Sequence, residues 1–298
     1  MNDTQFKEKY ESLRKAVENG IDKYLPPEDT RPADLHKAMR YSLKAGGKRI
    51  RPILLMAAQE MLDGDIDPVP ACVAIESLHT YTLIHDDLPA IDNSDLRRGM
   101  PTCHKVFGEP LALLAGDALL TYSLWLLAES YKDHPEIATD LVRDLGRAAG
   151  SEKLIGGQVE DVMNEKNGEN MTPEKLVYIH DNKTAALITS AVTMGVRLSK
   201  SCTKEHLETA RQIGYNIGLA FQVIDDILDA TSDTETMGKT VRLDAQNNKM
   251  TYATLYGIEK AREIAADLTN KAVALCDKMG KNNQFMKALI EHMQNRIR

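Results

Sequence analysis

Two groups of aspartates follow apolar stretches of the sequence, and their spacing suits the binding of divalent cations. The first group lies in LIHDDLPAIDNSDLRRGMP, residues 83–101, and the second in FQVIDDILDATSD, residues 221–233. Carboxylates so close together repel one another unless cations lie between them. Ligand sets made only of oxygen favour Mg²⁺ or another hard ion, which proteins usually share with substrate phosphates. The candidate ligands are Asp86, Asp87, Asp92, Asp225, Asp226 and Asp229.

Basic residues follow each acidic group and also occupy a separate motif, GGKRIRP, at residues 46–52. Any one of these cations, taken alone, is most simply a solvated surface charge. Together with two acidic groups they indicate a diphosphate held by metal ions and basic side chains, because guanidinium and ammonium groups bind phosphate oxygens strongly. The cations are Lys48, Arg49, Arg51, Arg97, Arg98, Lys239 and Lys249.

The chain that must position these residues has helical periodicity almost throughout. A helix is predicted to begin near Pro32 and to end at the Gly46–Gly47 pair. Thr172 is the predicted N-cap of another helix, and a long helix is predicted from about Thr203 to Ala230. Stretches that alternate with a period of two are essentially absent. The sequence therefore predicts one all-α domain over residues 1–298.

The first acidic group contains a geometric problem. Asp86 and Asp92 are six residues apart, which on a regular helix would separate their directions by about 120°. Pro89 lies between them and does not fit a regular helix interior, because it lacks the backbone N–H and its ring clashes with the preceding turn. We therefore predict a helix interruption around residues 88–91, which would return Asp92 to the face that carries Asp86.

Composition excludes several other classes of protein. The formal net charge of −7 argues against a general nucleic-acid binder, which needs a basic surface. The four cysteines form no CxxC pair, so a reducing cytoplasm fits better than a zinc site or a disulfide framework. The N-terminus lacks the apolar run of a signal peptide. Residues 111–128 are apolar enough to be tested as a membrane span, but Asp117 would be costly in lipid, which favours a buried helix.

Motifs along nearly the whole chain resemble those of the short-chain, trans-type polyprenyl diphosphate synthases, and most of all the bacterial farnesyl type. They are GGKRIRP, ESLHTYTLIHDDLPAIDNSDLRRGMPTCH, LAGDALL, GGQVED, NKTAALI, FQVIDDILD, the Gly238–Lys239 pair and KMTY. The resemblance implies the all-α isoprenoid synthase fold, a helical barrel around a deep central cavity, usually in a homodimer. It also implies that the two aspartate motifs face each other across the mouth of that cavity.

The resemblance further implies a reaction. The two motifs would hold three Mg²⁺ ions on an allylic diphosphate, with Mn²⁺ able to take the place of Mg²⁺. Departure of that diphosphate would leave a carbocation, which the double bond of isopentenyl diphosphate attacks. The partners are therefore small-molecule substrates, isopentenyl diphosphate and dimethylallyl or geranyl diphosphate, with no nucleic acid and no membrane span.

The resemblance also implies a role for each residue of this chain that matches a functional position of the family. Asp86, Asp92 and Asp225 are the expected direct metal ligands, while Asp87, Asp226 and Asp229 bind metal or metal-bound water. The residues expected at the allylic diphosphate and its pocket are Arg97, Lys183, Lys239, Thr184 and Gln222. Those expected at isopentenyl diphosphate are Lys48, Arg51, His79 and Arg98, and Gly47 and Lys249 complete the substrate-binding set. The catalytic set is Asp86, Asp92, Arg97, Lys183, Asp225 and Lys239.

Product length is expected to depend on Tyr81 and Thr82, which lie five and four residues before Asp86. Tyr81 is the bulky one, and its ring would form the floor of the pocket for the growing prenyl tail. The expected product is farnesyl diphosphate (C15). A geranylgeranyl diphosphate synthase (C20) is the alternative within the family, and Tyr81 could also pack in the core away from the tail.

Particular residues distinguish this family from other classes of protein. A terpene cyclase would carry an Asn/Asp-Ser-Glu motif where this chain has DDILD, and it has no need of GGKRIRP. A non-catalytic family subunit would have lost one acidic motif, and a non-catalytic acidic metal-binding or interaction protein would lack the basic residues. His85 is a packing residue in the simpler interpretation and a general base in the other. The roles of Arg49, Asp117, Gln158 and Asp161 are left open.

Overall fold

The computed structural model describes residues 1–167, 172–231 and 251–295, and in this part of the chain almost all regular structure is helical. The predicted all-α fold class is confirmed. The helices are α1 (Asp3–Tyr24), α2 (Ala33–Lys44), α3 (Ile50–Met61), α4 (Val69–Asp86), α5 (Cys103–Phe107), α6 (Glu109–Ser130), α7 (Pro135–Ala149), α8 (Leu154–Asn167), α9 (Pro173–Ile179), a π-helix (His180–Ala185), α10 (Ala186–Arg197), α11 (Lys204–Thr231), α12 (Tyr252–Tyr256), α13 (Ile258–Cys276) and α14 (Gln284–Gln294). Strands β1 (Leu96–Arg97) and β2 (Met100–Pro101) pair in antiparallel fashion.

Helix ends lie close to the positions that the sequence predicts. Helix α2 begins directly after Pro32 and ends two residues before Gly46, which adopts a φ of +83°. Thr172 caps α9, because its hydroxyl accepts a hydrogen bond from the N–H of Lys175 at 3.3 Å. The predicted sites at Lys239 and Lys249 lie outside the described residues.

The chain groups into two compact units. The first unit comprises residues 7–56 and 67–143, and the second comprises residues 1–6, 57–66 and 144–298. The first aspartate group belongs to the first unit, and the second aspartate group belongs to the second. The single-domain organisation expected from the sequence stays a prediction.

In the first unit, α4 packs against α6, and α2 packs against both. Helix α4 is buried along most of its length, including Ile75, Leu78 and Ile84, because its sequence is apolar on nearly every face. This continuous apolar surface supports the end of the helix at Asp86. The first aspartate group therefore rests on a rigid, well-packed helix.

Helix α6 differs from the fully buried helix that the sequence predicts. By length and composition alone it is the one helix in the described ranges that could cross a membrane, and only 39% of its apolar window is buried. Ala115 and Leu119 face the interior, whereas Leu114 is 54% exposed and Trp125 is 55% exposed. The prediction was wrong for the outer face, because one side of α6 suffices to cover α4.

In the second unit, α11 contacts α10, α13 and the π-helix. Two glycines of α11 permit this close packing. A Cβ atom at Gly214 would lie 2.5 Å from the Cα of Thr189, and one at Gly218 would lie 2.5 Å from the Cα of Ala185. Both distances are far below van der Waals contact, so α10 and the π-helix approach α11 only because these side chains are absent.

The side chain of Arg49 connects three helices of the first unit from a fully buried position. It donates to Glu18 of α1 at 2.8 Å, to Glu76 of α4 at 2.8 Å and to the carbonyl oxygen of Leu43 in α2 at 2.6 Å. Glu76 is itself only 2% exposed. This answers the open question of the role of Arg49: its donors are bonded within the protein, and its role is structural.

We expect Arg49→Ala to lower the free energy of unfolding by about 3–5 kcal/mol, because it leaves a buried carboxylate without its counter-charge. Urea denaturation followed by circular dichroism measures this difference. Arg14→Ala is the control, since Arg14 forms an exposed ion pair with Glu11 at 2.7 Å and should leave the unfolding midpoint almost unchanged. Equal midpoints for the two variants would contradict the structural role of Arg49.

Candidate active site

The first aspartate group begins where α4 ends. The backbone N–H of Leu88 bonds to the oxygen of His85 at 3.2 Å, and the chain then turns through Pro89. The N–H of Asp92 donates to the carbonyl oxygen of Asp86 at 2.9 Å. This bond confirms the predicted helix interruption and returns Asp92 to the end of α4. The two aspartates predicted as direct metal ligands therefore lie together, and both are at least partly exposed.

Asp87 has a different environment from these two. It is 3% exposed, and its carboxylate pairs with Arg97 through Nη2 at 2.5 Å and Nε at 3.1 Å. A guanidinium that binds a carboxylate through two nitrogens is held in one orientation. In the structure Asp87 therefore positions Arg97, and metal binding by Asp87 stays a prediction.

A two-residue hairpin orients both arginines that follow the first aspartate group. Arg98 and Gly99 connect β1 to β2 with φ angles of +56° and +77°. Two positive φ angles in succession define the tight turn that suits the twist of antiparallel strands, and glycine adopts such angles without strain. The turn thus places Arg97 on β1 and Arg98 at the tip.

Arg98 links this hairpin to GGKRIRP. Its guanidinium donates to the carbonyl oxygen of Gly46. A Cβ atom at Gly47 would lie 2.6 Å from the Cζ of Arg98, and Gly47 has a φ of +124°. Gly47 therefore serves the site by leaving room for Arg98, and the two basic motifs meet although they are far apart in sequence.

His79 lies on α4, two turns before Asp86, and is partly buried. Its pKa is held well below the usual range, first because the ring is desolvated and then because positive charges lie near it. These charges belong to Arg51, Arg98, Arg97 and Arg49. Such a concentration of guanidinium groups around a neutral imidazole favours binding of an anion with several oxygens. The structure thus brings together three of the four residues predicted for isopentenyl diphosphate: Arg51, His79 and Arg98.

Lys48, the fourth of these residues, is adjacent to Arg49 in sequence. Its carbonyl oxygen accepts a hydrogen bond from the hydroxyl of Tyr10 at 2.5 Å. The buried Arg49 side chain and this bond to α1 together fix the backbone from which Lys48 projects.

In the second unit, the π-helix carries Lys183 and Thr184. The ammonium group of Lys183 donates to Asp161 of α8 at 2.6 Å, and the hydroxyl of Thr184 donates to Gln222 of α11 at 2.8 Å. A wider helical turn is typical of functional sites, since it displaces side chains from their regular positions. Asp161, whose role was open, therefore positions Lys183.

The glycines of GGQVED explain how α8 approaches the π-helix. A Cβ atom at Gly157 would lie 2.4 Å from the backbone nitrogen of Lys183. Any side chain there would push Lys183 away from Asp161. The GG pair is the one sequence signal for this contact, and the sequence prediction did not use it.

The second aspartate group also divides into two environments. Asp225 and Asp229 are partly exposed and four residues apart on α11, so they lie on one helix face. Asp226 is 5% exposed, and its carboxylate accepts the N–H of Tyr252 at the start of α12, at 2.9 Å. His180 stacks on the ring of Tyr252 at 5.4 Å. Asp226 thus anchors α12, and metal binding by Asp226 stays a prediction.

The chemistry of the donors suits Mg²⁺. Each aspartate group supplies a pair of accessible carboxylates, Asp86 with Asp92 and Asp225 with Asp229, and hard oxygen ligands are those that Mg²⁺ prefers. Within the described ranges no group of three or more acidic, histidine or cysteine side chains is arranged to hold a metal ion.

Tyr81 and Thr82 project from different sides of α4. Thr82 is partly exposed, lies near the face of Asp86, and its hydroxyl donates to the oxygen of His79 at 2.7 Å. Tyr81 is 5% exposed and packs edge to face against His85, which in turn contacts the carbonyl oxygen of Leu113 in α6 at 3.0 Å. His85 is therefore a packing residue, as the simpler interpretation predicted.

Comparisons of sequence and of structure relate this chain to known proteins. The family model for polyprenyl synthetase matches residues 32–293. The chain is 43% identical over 279 residues to geranylgeranyl pyrophosphate synthase 12, chloroplastic, of Arabidopsis thaliana, covering 91% of this chain and 77% of that protein. It resembles the crystal structure of an FPP/GFPP synthase from Zymomonas mobilis, with a TM-score of 0.86, 31% identity and coverage of 98% and 99%. A geranyltransferase from Legionella pneumophila gives a TM-score of 0.87, 31% identity and coverage of 99% of both chains.

The pKa of His79 is held down first by desolvation and then by nearby positive charges. We expect this pKa to rise when inorganic pyrophosphate binds, because the anion offsets those charges. Two-dimensional NMR titration of the histidine ring signals, with and without pyrophosphate, measures the change. Since binding then takes up a proton, affinity for pyrophosphate should increase as pH falls towards the raised pKa. The signal of the exposed His134 controls for general salt effects, and an unchanged His79 pKa in the saturated protein would contradict the predicted anion site.

Proposed function

We propose a specific reaction for this chain, which belongs to the polyprenyl synthetase family and is a prenyltransferase: it condenses isopentenyl diphosphate with dimethylallyl and then geranyl diphosphate to give farnesyl diphosphate. The observation that carries the proposal is the paired arrangement of charges. Each aspartate group leaves two accessible carboxylates, and each unit holds cations on buried or half-buried carboxylates beside them. Such an arrangement suits diphosphates better than any other common metabolite group.

The residues of the first unit would bind and orient both substrates. Arg51, His79 and Arg98 would hold isopentenyl diphosphate at the site without metal, and Arg97 would contact the allylic diphosphate. Because Asp87 already fixes the Arg97 guanidinium, little reorganisation is needed when the leaving diphosphate gains charge. In the second unit, Lys183 is held by Asp161 in a comparable way and is the cation we propose for the allylic diphosphate there.

Asp86, Asp92, Asp225 and Asp229 would hold the divalent ions. When bound, Mg²⁺ neutralises charge on the departing diphosphate oxygens. The proposal needs no side-chain nucleophile, because the electrons for the new bond come from the double bond of isopentenyl diphosphate. The proton lost from C2 would pass to the departed diphosphate.

The test is an assay with Mg²⁺, isopentenyl diphosphate and either dimethylallyl or geranyl diphosphate, followed by identification of the products. We expect Asp86→Ala and Asp225→Ala each to lower turnover by at least about a hundredfold, since each removes a ligand from ions that stabilise the leaving group. Helical circular dichroism checks that both variants fold. Near-native turnover in either variant would show that the corresponding aspartate group has been misassigned.

Product length is the finer part of the proposal. We favour C15 because Tyr81 places an aromatic ring five residues before Asp86, about 7.5 Å along the helix axis. The ring is buried and packs against His85, which contacts α6, and we take it as the floor of the pocket. A relative named as a geranylgeranyl pyrophosphate synthase makes C20 the competing product.

We expect Tyr81→Ala to shift the main product from C15 to C20 or longer, because loss of the ring opens the pocket towards α6. Thr82→Ala, at the other position expected to affect product length, should shift the product in the same direction but far less, since it removes only a small side chain. Chromatography of the dephosphorylated products measures both. A native enzyme that already makes mainly C20 would overturn the C15 proposal, as would unchanged C15 output from folded Tyr81→Ala.

The exposed apolar face of α6 supports the expected homodimer. Leu113, Leu114 and Trp125 are 46%, 54% and 55% exposed on a helix whose other face is buried. Large apolar side chains exposed on one helix favour an interaction site, and the symmetric solution is a second copy of the same chain.

Leu114→Glu should convert the dimer to a monomer, because a charge in the centre of an apolar interface is costly to bury. Light scattering after size exclusion at several protein concentrations measures the mass. Leu96→Glu is the control, since Leu96 is also exposed, at 60%, but lies on the hairpin away from α6. A native protein that is monomeric at all concentrations would exclude the proposed interface.

A further inference from the structure

The ring of Tyr81 is held in place by packing. Its side chain is 5% exposed, and its hydroxyl has no hydrogen-bond partner in the structure. A buried tyrosine usually fixes its orientation through that hydroxyl. Here the position of the ring depends instead on the groups that surround it.

His85 is the aromatic neighbour of this ring. The two ring centroids are 5.6 Å apart with an interplanar angle of 82°, an edge-to-face contact. His85 lies one helical turn after Tyr81, so the contact persists along the same face of α4. Its Nε2 donates to the carbonyl oxygen of Leu113 in α6 at 3.0 Å. His85 therefore joins Tyr81 to the backbone of the neighbouring helix.

Gly116 confines the His85 ring from the other side. A Cβ atom at Gly116 would lie 2.1 Å from Nε2 and 2.4 Å from Cδ2 of His85. The imidazole thus occupies space that exists only because residue 116 has no side chain. Tyr81, His85 and Gly116 form a continuous stack from α4 to α6, which we call the Tyr81 stack.

We propose that His85 is a positioning residue for product length, which acts by holding the Tyr81 ring across the path of the growing prenyl tail. The inference rests on the proposed function. The Tyr81 ring limits the length of the prenyl tail, and His85 and Gly116 limit how far this ring can rotate. The product distribution therefore depends on residues that need not touch the substrate.

This arrangement predicts changes in opposite directions. Loss of the His85 ring leaves a space into which Tyr81 can rotate, so the pocket lengthens and longer products form. An added methyl group at Gly116 presses on His85 and through it on Tyr81, so the pocket shortens. A merely structural role for His85 would lower stability or turnover in both variants without this reversal.

The experiment measures product ratios at saturating substrate with the full-length enzyme and Mg²⁺. We expect His85→Ala to raise the C20:C15 ratio by roughly two- to tenfold, the range that corresponds to the loss of one aromatic contact. His85→Phe, which retains a flat ring next to Tyr81, should keep the native ratio. Gly116→Ala should raise the share of C10 over C15.

A double variant tests whether His85 acts through Tyr81. Because the two residues are in contact, Tyr81→Ala/His85→Ala should give the same product ratio as Tyr81→Ala alone. Multiplication of the two single effects would mean that His85 acts independently and would overturn the inference. So would an unchanged ratio in His85→Ala, provided Tyr81→Ala shifts the product.

The control lies at the far end of the same helix pair. The Tyr131 hydroxyl, at the end of α6, accepts from the N–H of Ala71 in α4 at 3.2 Å. Tyr131→Phe should destabilise the packing of α4 on α6 and keep the product ratio. A shifted ratio in Tyr131→Phe would show that general loosening is sufficient and would refute the Tyr81 stack. If the native protein forms no prenyl product at all, the proposed function itself fails, and this outcome is distinct from the others.

Discussion

The buried guanidinium of Arg49 is the interaction on which the rest of the first unit depends. It joins α1, α2 and α4 through Glu18, the oxygen of Leu43 and Glu76. A charge in the interior is tolerated only when its hydrogen bonds are satisfied, so these three helices have little freedom to move relative to one another. Arg49 has a φ of +51°, and this turn directs the flanking residues of GGKRIRP. The basic pocket around His79 follows from that anchor.

In both units, a buried carboxylate fixes the orientation of a cationic side chain. Arg97 is held by the nearly buried Asp87, and Lys183 is held by Asp161. A cation that is already oriented can meet the developing charge of a leaving group without losing side-chain freedom at that moment. The aspartates that remain accessible are then those suited to metal ions. Asp87 and Asp226 are buried and bond to other parts of the protein. The pairs Asp86 with Asp92 and Asp225 with Asp229 are accessible and suit metal ions.

In the proposed reaction, the helix pair α4 and α6 would connect catalysis with product length. Asp86 ends α4, His85 directly precedes it and contacts α6, and Tyr81 lies five residues before it and packs against His85. Gly116 lets that side approach closely, and the opposite face of α6 remains exposed and apolar. The same short stretch of α4 thus bears one proposed metal ligand, Asp86, and the proposed wall for the prenyl tail. Changes in α6 would therefore affect the length of the product more than the chemistry of the leaving group.

The helical class, several helix ends and the break at Pro89 could be predicted from the sequence, because they depend on local periodicity and backbone chemistry. The sequence also identified the acidic and basic motifs. Which charged residues of each motif stabilise the fold became clear from the three-dimensional packing. Asp87, Asp161 and Asp226 bond to groups 10, 22 and 26 residues away in the chain. Neighbouring aspartates look alike in a sequence, and their roles diverge because packing buries one and leaves the next accessible.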